Sequence, residues 1–130
     1  MVGILLVTHG DIGLALLQSS KQILGKKPDN IVCISINSNN DISSCKKIIQ
    51  EKLIDLDNGE GVLIMSDMYG ATPTNILKKI IYINKYEVIA GINLPMLMQA
   101  LTSRNLSLND LTKICLKYGK QNIFNVTNDD

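Results

Sequence analysis

His9 is the only histidine in a chain of 130 residues, and its position suits chemistry. It follows the apolar run 2–8 and precedes Gly10, which puts an imidazole at the end of a strand buried on both faces. A second apolar run, 62–65, leads into Ser66 and Asp67. If these two strands are neighbours, a carboxylate faces an imidazole across one rim of a sheet. A carboxylate bonded to one ring nitrogen fixes the tautomer and leaves the other nitrogen's lone pair free to attack. The competing reading is that His9 merely starts a helix and makes a local hydrogen bond. His9 and Asp67 are the candidate catalytic pair.

The residues after Asp67 add a third part. Gly70 permits a positive-φ turn, and Thr72-Pro73 opens a helix, with Thr a good cap and Pro favoured in the first helical position. Free N–H groups at a helix start bind phosphate through their donors and the helix dipole. The backbone of Gly70, Ala71 and Thr72 is therefore the candidate phosphate-binding set. The simpler alternative is that Gly70 and Pro73 only shape a βα turn.

Other chemistries fit poorly. The sequence holds no G-x-S-x-G elbow, no Rossmann glycine fingerprint and no Walker loop. One histidine and three scattered cysteines, Cys33, Cys45 and Cys115, do not make a transition-metal site or a disulfide framework. No metal and no cofactor are expected. A receiver-type phosphoacceptor at Asp67 would need a magnesium ion held by further acids, and only Asp11 lies near the end of the first strand. Thirteen basic against twelve acidic residues give a net charge of +1, which leaves no field to hold nucleic acid or an anionic membrane. No run reaches the length of a spanning helix or carries the marks of a signal peptide, so a cytoplasmic location is expected.

Positioning those groups requires a particular scaffold. Apolar runs at 2–8, 31–36, 62–65 and 87–92 read as strands. Helical spacing covers 11–24, with Gly25 as its stop, and the segment after Asp41, with Ile42, Cys45, Ile48, Ile49, Leu53 and Leu56 on its core face. Further helices are predicted over 72–82, 95–102 and 106–118, the last with Leu108, Leu111, Ile114, Cys115 and Tyr118 inward, and residues 123–126 as a short closing strand. Residues 127–130 read as a frayed tail. The order βαβαβαβααβ predicts one α/β domain over 1–130, with a doubly wound, mostly parallel sheet and helices on both faces. Such sheets bind ligands at the carboxyl ends of their strands, where His9 and Asp67 stand.

Three blocks carry a resemblance over essentially the whole chain: 3–10 (GILLVTHG), 66–75 (SDMYGATPTN) and 86–101 (YEVIAGINLPMLMQAL). The last is the most specific, because no generic α/β domain requires Gly91-Ile92-Asn93-Leu94-Pro95-Met96-Leu97. Together they resemble the IIA domain of the mannose family of the bacterial phosphoenolpyruvate:sugar phosphotransferase system. The resemblance implies that His9 accepts a phosphoryl group from the carrier HPr and passes it to a IIB component in sugar uptake, and that Asp67 orients it. The membrane is then touched only through the transporter complex. The family's usual second glycine is Ala71 here. A related branch serves dihydroxyacetone kinases, but the Thr8-His9-Gly10 and Asn93-Leu94-Pro95 segments resemble the sugar-transport type. A homodimer is also implied, with a C-terminal antiparallel strand, 123–126, lying on the neighbouring subunit's sheet; within one subunit the same strand would pair with its own sheet. No linker is visible before Asp130, so the IIB acceptor is expected on another chain. A phosphorylation-dependent regulatory module without a transport role is the alternative, and sequence alone does not choose between them.

Overall fold

A computed structural model describes residues 1–78, 80 and 85–128. The element order is β1 (Gly3–His9), α1 (Ile12–Leu24), β2 (Ile31–Ile36), α2 (Ile42–Leu56), β3 (Val62–Ser66), α3 (Thr72–Lys78), β4 (Tyr86–Ala90), α4 (Leu94–Thr102) and α5 (Leu108–Gln121). The four strands form one sheet in the order β2-β1-β3-β4, and every pairing is parallel. β1 and β3 are therefore central neighbours, as the His9–Asp67 argument needs.

The pleat divides the core in two. Ile4 and Leu6 of β1, with Leu63 and Met65 of β3, meet Leu17 of α1, Met96 and Leu97 of α4, and Leu111 and Cys115 of α5. Leu5 and Val7, with Val62 and Ile64, meet Ile49 and Leu53 of α2 and Ile76 and Leu77 of α3. Alternate side chains of a strand point to opposite faces. Two covered faces thus explain why β1 and β3 read as unbroken apolar runs rather than alternating ones.

The helix faces depart from the expected ones at several residues. In α2 the inward positions are Cys45, Ile49, Leu53 and Leu56, whereas Ile42 and Ile48 are exposed. The stripe therefore steps by four and four and three, and the two extra isoleucines fall outside its arc. In α5 Tyr118 is exposed, not inward. Gly119 takes the inward place because a Cβ there would lie 2.5 Å from Met96 Cε. β4 ends at Ala90 rather than Ile92, since Gly91 turns at φ +91° and both Gly91 and Ile92 donate their N–H to the Ser66 carbonyl (3.0 and 3.1 Å). α5 starts at Leu108, capped by the Ser107 side chain. The predicted continuation of α3 through 82 falls partly on residues 79, 81 and 82, which lie outside the described residues, as do 129 and 130 of the predicted tail. Residues 123–126 form no strand with their own sheet: this stretch is open chain leading into a turn, with Ile123, Phe124 and Val126 exposed.

At the amino ends of the strands, Arg104 is the one buried basic side chain among the described residues. Its guanidinium donates to the carbonyls of Val2 (3.0 and 2.7 Å), Asn30 (2.7 Å) and Asp29. It ties the entry of β1 to the entry of β2, so Arg104→Ala removes the donor from the Val2 and Asp29 carbonyls, while Asn30 keeps the Ile4 N–H at 3.1 Å. The expected loss is about 3 kcal/mol, since hydrogen bonds to a charged group are worth roughly twice neutral ones and their orphaned partners cost more. Thermal unfolding should show a midpoint lower by roughly 10 °C.

Candidate functional site

β1 and β3 run in register, with Val7 opposite Ser66, so the two chains leave the sheet together at His9 and Asp67. One oxygen, Asp67 Oδ2, accepts both the backbone N–H of His9 (3.1 Å) and its ring Nδ1 (2.8 Å). The other oxygen accepts the N–H of Met68 at 3.1 Å. Burial pushes the Asp67 carboxyl up, but the side-chain and backbone hydrogen bonds from His9 outweigh it and hold the carboxyl below its usual range. An ionised carboxylate offers only lone pairs, so the hydrogen between the two residues belongs to Nδ1. In the neutral ring Nε2 then carries the free lone pair.

The Asp67 side chain is 12% exposed and that of His9 is 43% exposed. The acid is sheltered while the imidazole is reachable. His9 also lines a cleft of about 410 Å³ together with Ile36, Asn37, Asn40, Ile42 and Thr72. A slightly larger hollow of about 460 Å³ lies at Lys26, Lys27, Asp29 and Arg104. It sits at the opposite ends of the strands, away from His9 and Asp67, so volume alone does not mark the site here.

The three candidate phosphate-binding residues are not equivalent. Gly70 adopts φ +83°, as its type allows, but its N–H already donates to Thr74 Oγ1 at 3.0 Å. Ala71 N–H makes a long bond of 3.4 Å to the Met68 carbonyl. Asn30 alone among the described non-glycine residues has a positive φ, so Ala71 carries no left-handed strain. Thr72 opens α3 and lines the cleft beside His9. The structure thus brings Thr72 to His9, while the Gly70 donor is spent within its own loop.

The structural roles of three groups escaped the sequence reading. Thr8 is fully buried, and its Oγ1 accepts the N–H of Gly13 at 2.9 Å, so Thr8 rather than Asp11 supplies the side-chain cap of α1. A threonine four residues before a helix start was a visible signal. Asn93 caps α4 by accepting the N–H of Met96 (2.9 Å) and also donates to the Gly119 carbonyl (3.0 Å). That double use explains why the GINLP block is so particular. Thr74 was hidden behind Thr72-Pro73. Among the described residues, no three His, Cys, Asp or Glu side chains are grouped to hold a metal ion, and no helix is long and apolar enough to cross a membrane.

Comparison with known proteins adds a family to this geometry. The pattern of the PTS system fructose IIA component family matches residues 3–114. The chain is 29% identical over 125 residues to the PTS system mannose-specific EIIAB component of Escherichia coli, covering 94% of this chain and 38% of that protein. It therefore spans well under half the length of that relative. The PTS system fructose-specific EIIA component of Bacillus subtilis is 30% identical over 113 residues, with 85% of this chain and 77% of that protein covered. Among solved structures, phosphotransferase system component EIIA from Streptococcus agalactiae superposes with a TM-score of 0.85 at 26% identity, covering 98% of both chains. The mannose/sorbose specific IIA subunit from Enterococcus faecalis gives 0.87 at 20% identity, over 99% of this chain and 97% of that one, a likeness of fold.

Proposed function

Because the chain belongs to the PTS system fructose IIA component family, we propose that it is a IIA phosphoryl carrier, taking phosphate from phospho-HPr on His9 and passing it to a IIB component in sugar uptake. The observation that carries this reading is the 2.8 Å contact between His9 Nδ1 and Asp67 Oδ2. It leaves Nε2 as the nucleophile. The Nε2 lone pair attacks phosphorus in line, a nitrogen–phosphorus bond forms, and the bond to the donor breaks. The reverse exchange, with the IIB acceptor as nucleophile, regenerates free imidazole. Such transfers depend mostly on positioning and electrostatics. The Thr72 N–H, with Ala71 beside it, stabilises the phosphoryl oxygens, while Gly70 serves by its turn. The reaction requires no metal or cofactor. The carrier works as one domain in the cytoplasm and meets the membrane only through the transporter complex.

A half-exposed histidine suits protein partners better than a small enclosed substrate. Ile12, Met68 and Tyr69, which follow closely on His9 and Asp67 in sequence, have exposed side chains. A net charge of +1 gives little long-range steering. Recognition therefore rests on contact, and phosphorylation changes that contact by up to about two negative charges. Incubation with phosphoenolpyruvate, enzyme I and HPr should add one acid-labile phosphate, which a second protein of the cell's own lysate then removes quickly. A phosphate that persists, with only the unphosphorylated form capturing a partner, would favour the regulatory role instead.

The same reading includes a homodimer. Among the described residues β4 is one of the sheet's two edges, paired with β3 alone, and residues 123–126 leave three apolar side chains in solvent. An open edge and an unpaired apolar segment complement each other between two copies. Deleting residues 123–130 should convert a dimer in sedimentation velocity to a monomer or an aggregate. Intact protein that sediments as a monomer at micromolar concentration would exclude the exchanged strand.

A further inference from the structure

The loop joining Asp67 to α3 is held by a group that takes no direct part in the chemistry. Thr74 is 3% exposed, and its Oγ1 accepts the Gly70 N–H at 3.0 Å. The same hydroxyl can donate to the Ala71 carbonyl at 3.0 Å, with the Met68 carbonyl farther off at 3.5 Å. We propose that Thr74 is a positioning residue for phosphoryl transfer, fixing the loop 68–71 so that the Thr72 N–H and the Asp67 carboxylate keep their places around His9. This inference rests on the function proposed above.

A threonine early in a helix often bonds back to a carbonyl three or four residues earlier, which accounts for the contact with Ala71. The bond from Gly70 N–H is a different matter, because it closes the loop from the other side. Other bonds reach the loop on either side of Gly70 without engaging its N–H. Met68 and Tyr69 are exposed, though Lys78 Nζ donates to the Tyr69 hydroxyl at 3.0 Å; Asn75 N–H donates to the Ala71 carbonyl at 3.1 Å, and Ala71 N–H to Met68 O and Asn75 Nδ2 to Gly70 O are longer, both 3.4 Å. Beyond its chain neighbours, no described atom lies within 4 Å of where a Gly70 Cβ would stand, so packing at that point does not lock the turn. At its start the loop is gripped by Asp67 itself, through Met68 N–H to Oδ1 at 3.1 Å. Slack introduced at Gly70 thus has two outlets: the Thr72 donor at one end and the orientation of the His9 partner at the other. A misplacement of about 1 Å in such a constellation can cost on the order of 100-fold in rate.

Thr74→Val replaces the hydroxyl by a methyl of similar volume, and Thr74→Ser keeps the hydroxyl and drops the methyl. In single-turnover transfer from phospho-HPr, Thr74→Val should lower the limiting rate about tenfold or more, within that range. The HPr concentration at half-saturation should stay unchanged. Thr74→Ser should recover most of the rate. The Gly70 amide resonance should move in the valine variant and not in the serine one. Thr74→Ala makes the same comparison should valine disturb the packing. If wild type accepts phosphate on His9 and the hydroxyl-free variants match its limiting rate, or change only half-saturation, the positioning role is overturned and the carrier function stands. A wild-type chain that takes no phosphate from HPr overturns both.

Discussion

In the His9→Ala variant, incubation with phosphoenolpyruvate, enzyme I and HPr is expected to leave the protein unlabelled, where the wild-type chain gains one phosphate. The effect should be complete, because the chain has no second histidine to take over. Nor do the cysteines offer a route. Burial pushes the Cys115 thiol up to about 12 and raises that of Cys33, an effect that nearby Lys21 only partly offsets. Cys45 is buried. A thiol held protonated is a poor nucleophile. The variant is also a clean one. His9 ends its strand with a side chain 43% exposed, and the backbone N–H that bonds to Asp67 survives the substitution. The stability lost should be about 1 kcal/mol, the worth of an ordinary hydrogen bond. Label that appears undiminished in a folded His9→Ala protein would end the proposal.

The central strands and the meeting of His9 with Asp67 were legible in the sequence for one physical reason. Strands buried on both faces must be apolar throughout, so β1 and β3 announce themselves, and the first polar residues after them mark the rim where ligands bind. His9 and Asp67 needed only the adjacency of those strands, which the sheet order supplies. The inward faces of α2 and α5 were less legible, because isoleucine and tyrosine fit a helix stripe by type whether or not the arc reaches them. Ile48 and Tyr118 are exposed for that reason, and a glycine packed against Met96 does what the tyrosine was expected to do. The candidate phosphate-binding loop was read by residue type alone. Type shows which N–H groups could donate, but not which are already engaged, and the Gly70 donor is engaged by a side chain four residues later. The closing strand failed within the subunit on similar grounds: its apolar residues need a partner edge, and sequence does not say whose edge.

Asp67→Asn should keep the fold and slow phosphoryl transfer to His9 by on the order of 100-fold or more, the usual scale of positioned acid–base help. The carboxylate does two things at once through a single oxygen, accepting from the His9 backbone N–H and from Nδ1. An amide can still accept with its oxygen, but its NH₂ group can also donate to an unprotonated Nδ1. That alternative stabilises the tautomer with its proton on Nε2, the nitrogen that must attack. A ring whose attacking nitrogen carries the proton has no lone pair to offer phosphorus. The pH dependence of stability separates the charge from the geometry. Asp67 has a folded-state carboxyl below its ordinary range, so its stabilising contribution is present above about pH 4, the value for an unfolded aspartate. It disappears as pH falls through the lowered value. Wild type should accordingly be more stable than Asp67→Asn near neutrality, and the difference should shrink on acidification below that point. Unchanged single-turnover transfer in Asp67→Asn, measured at neutral pH, would remove the carboxylate from the mechanism and leave its bonds to His9 as part of the fold alone.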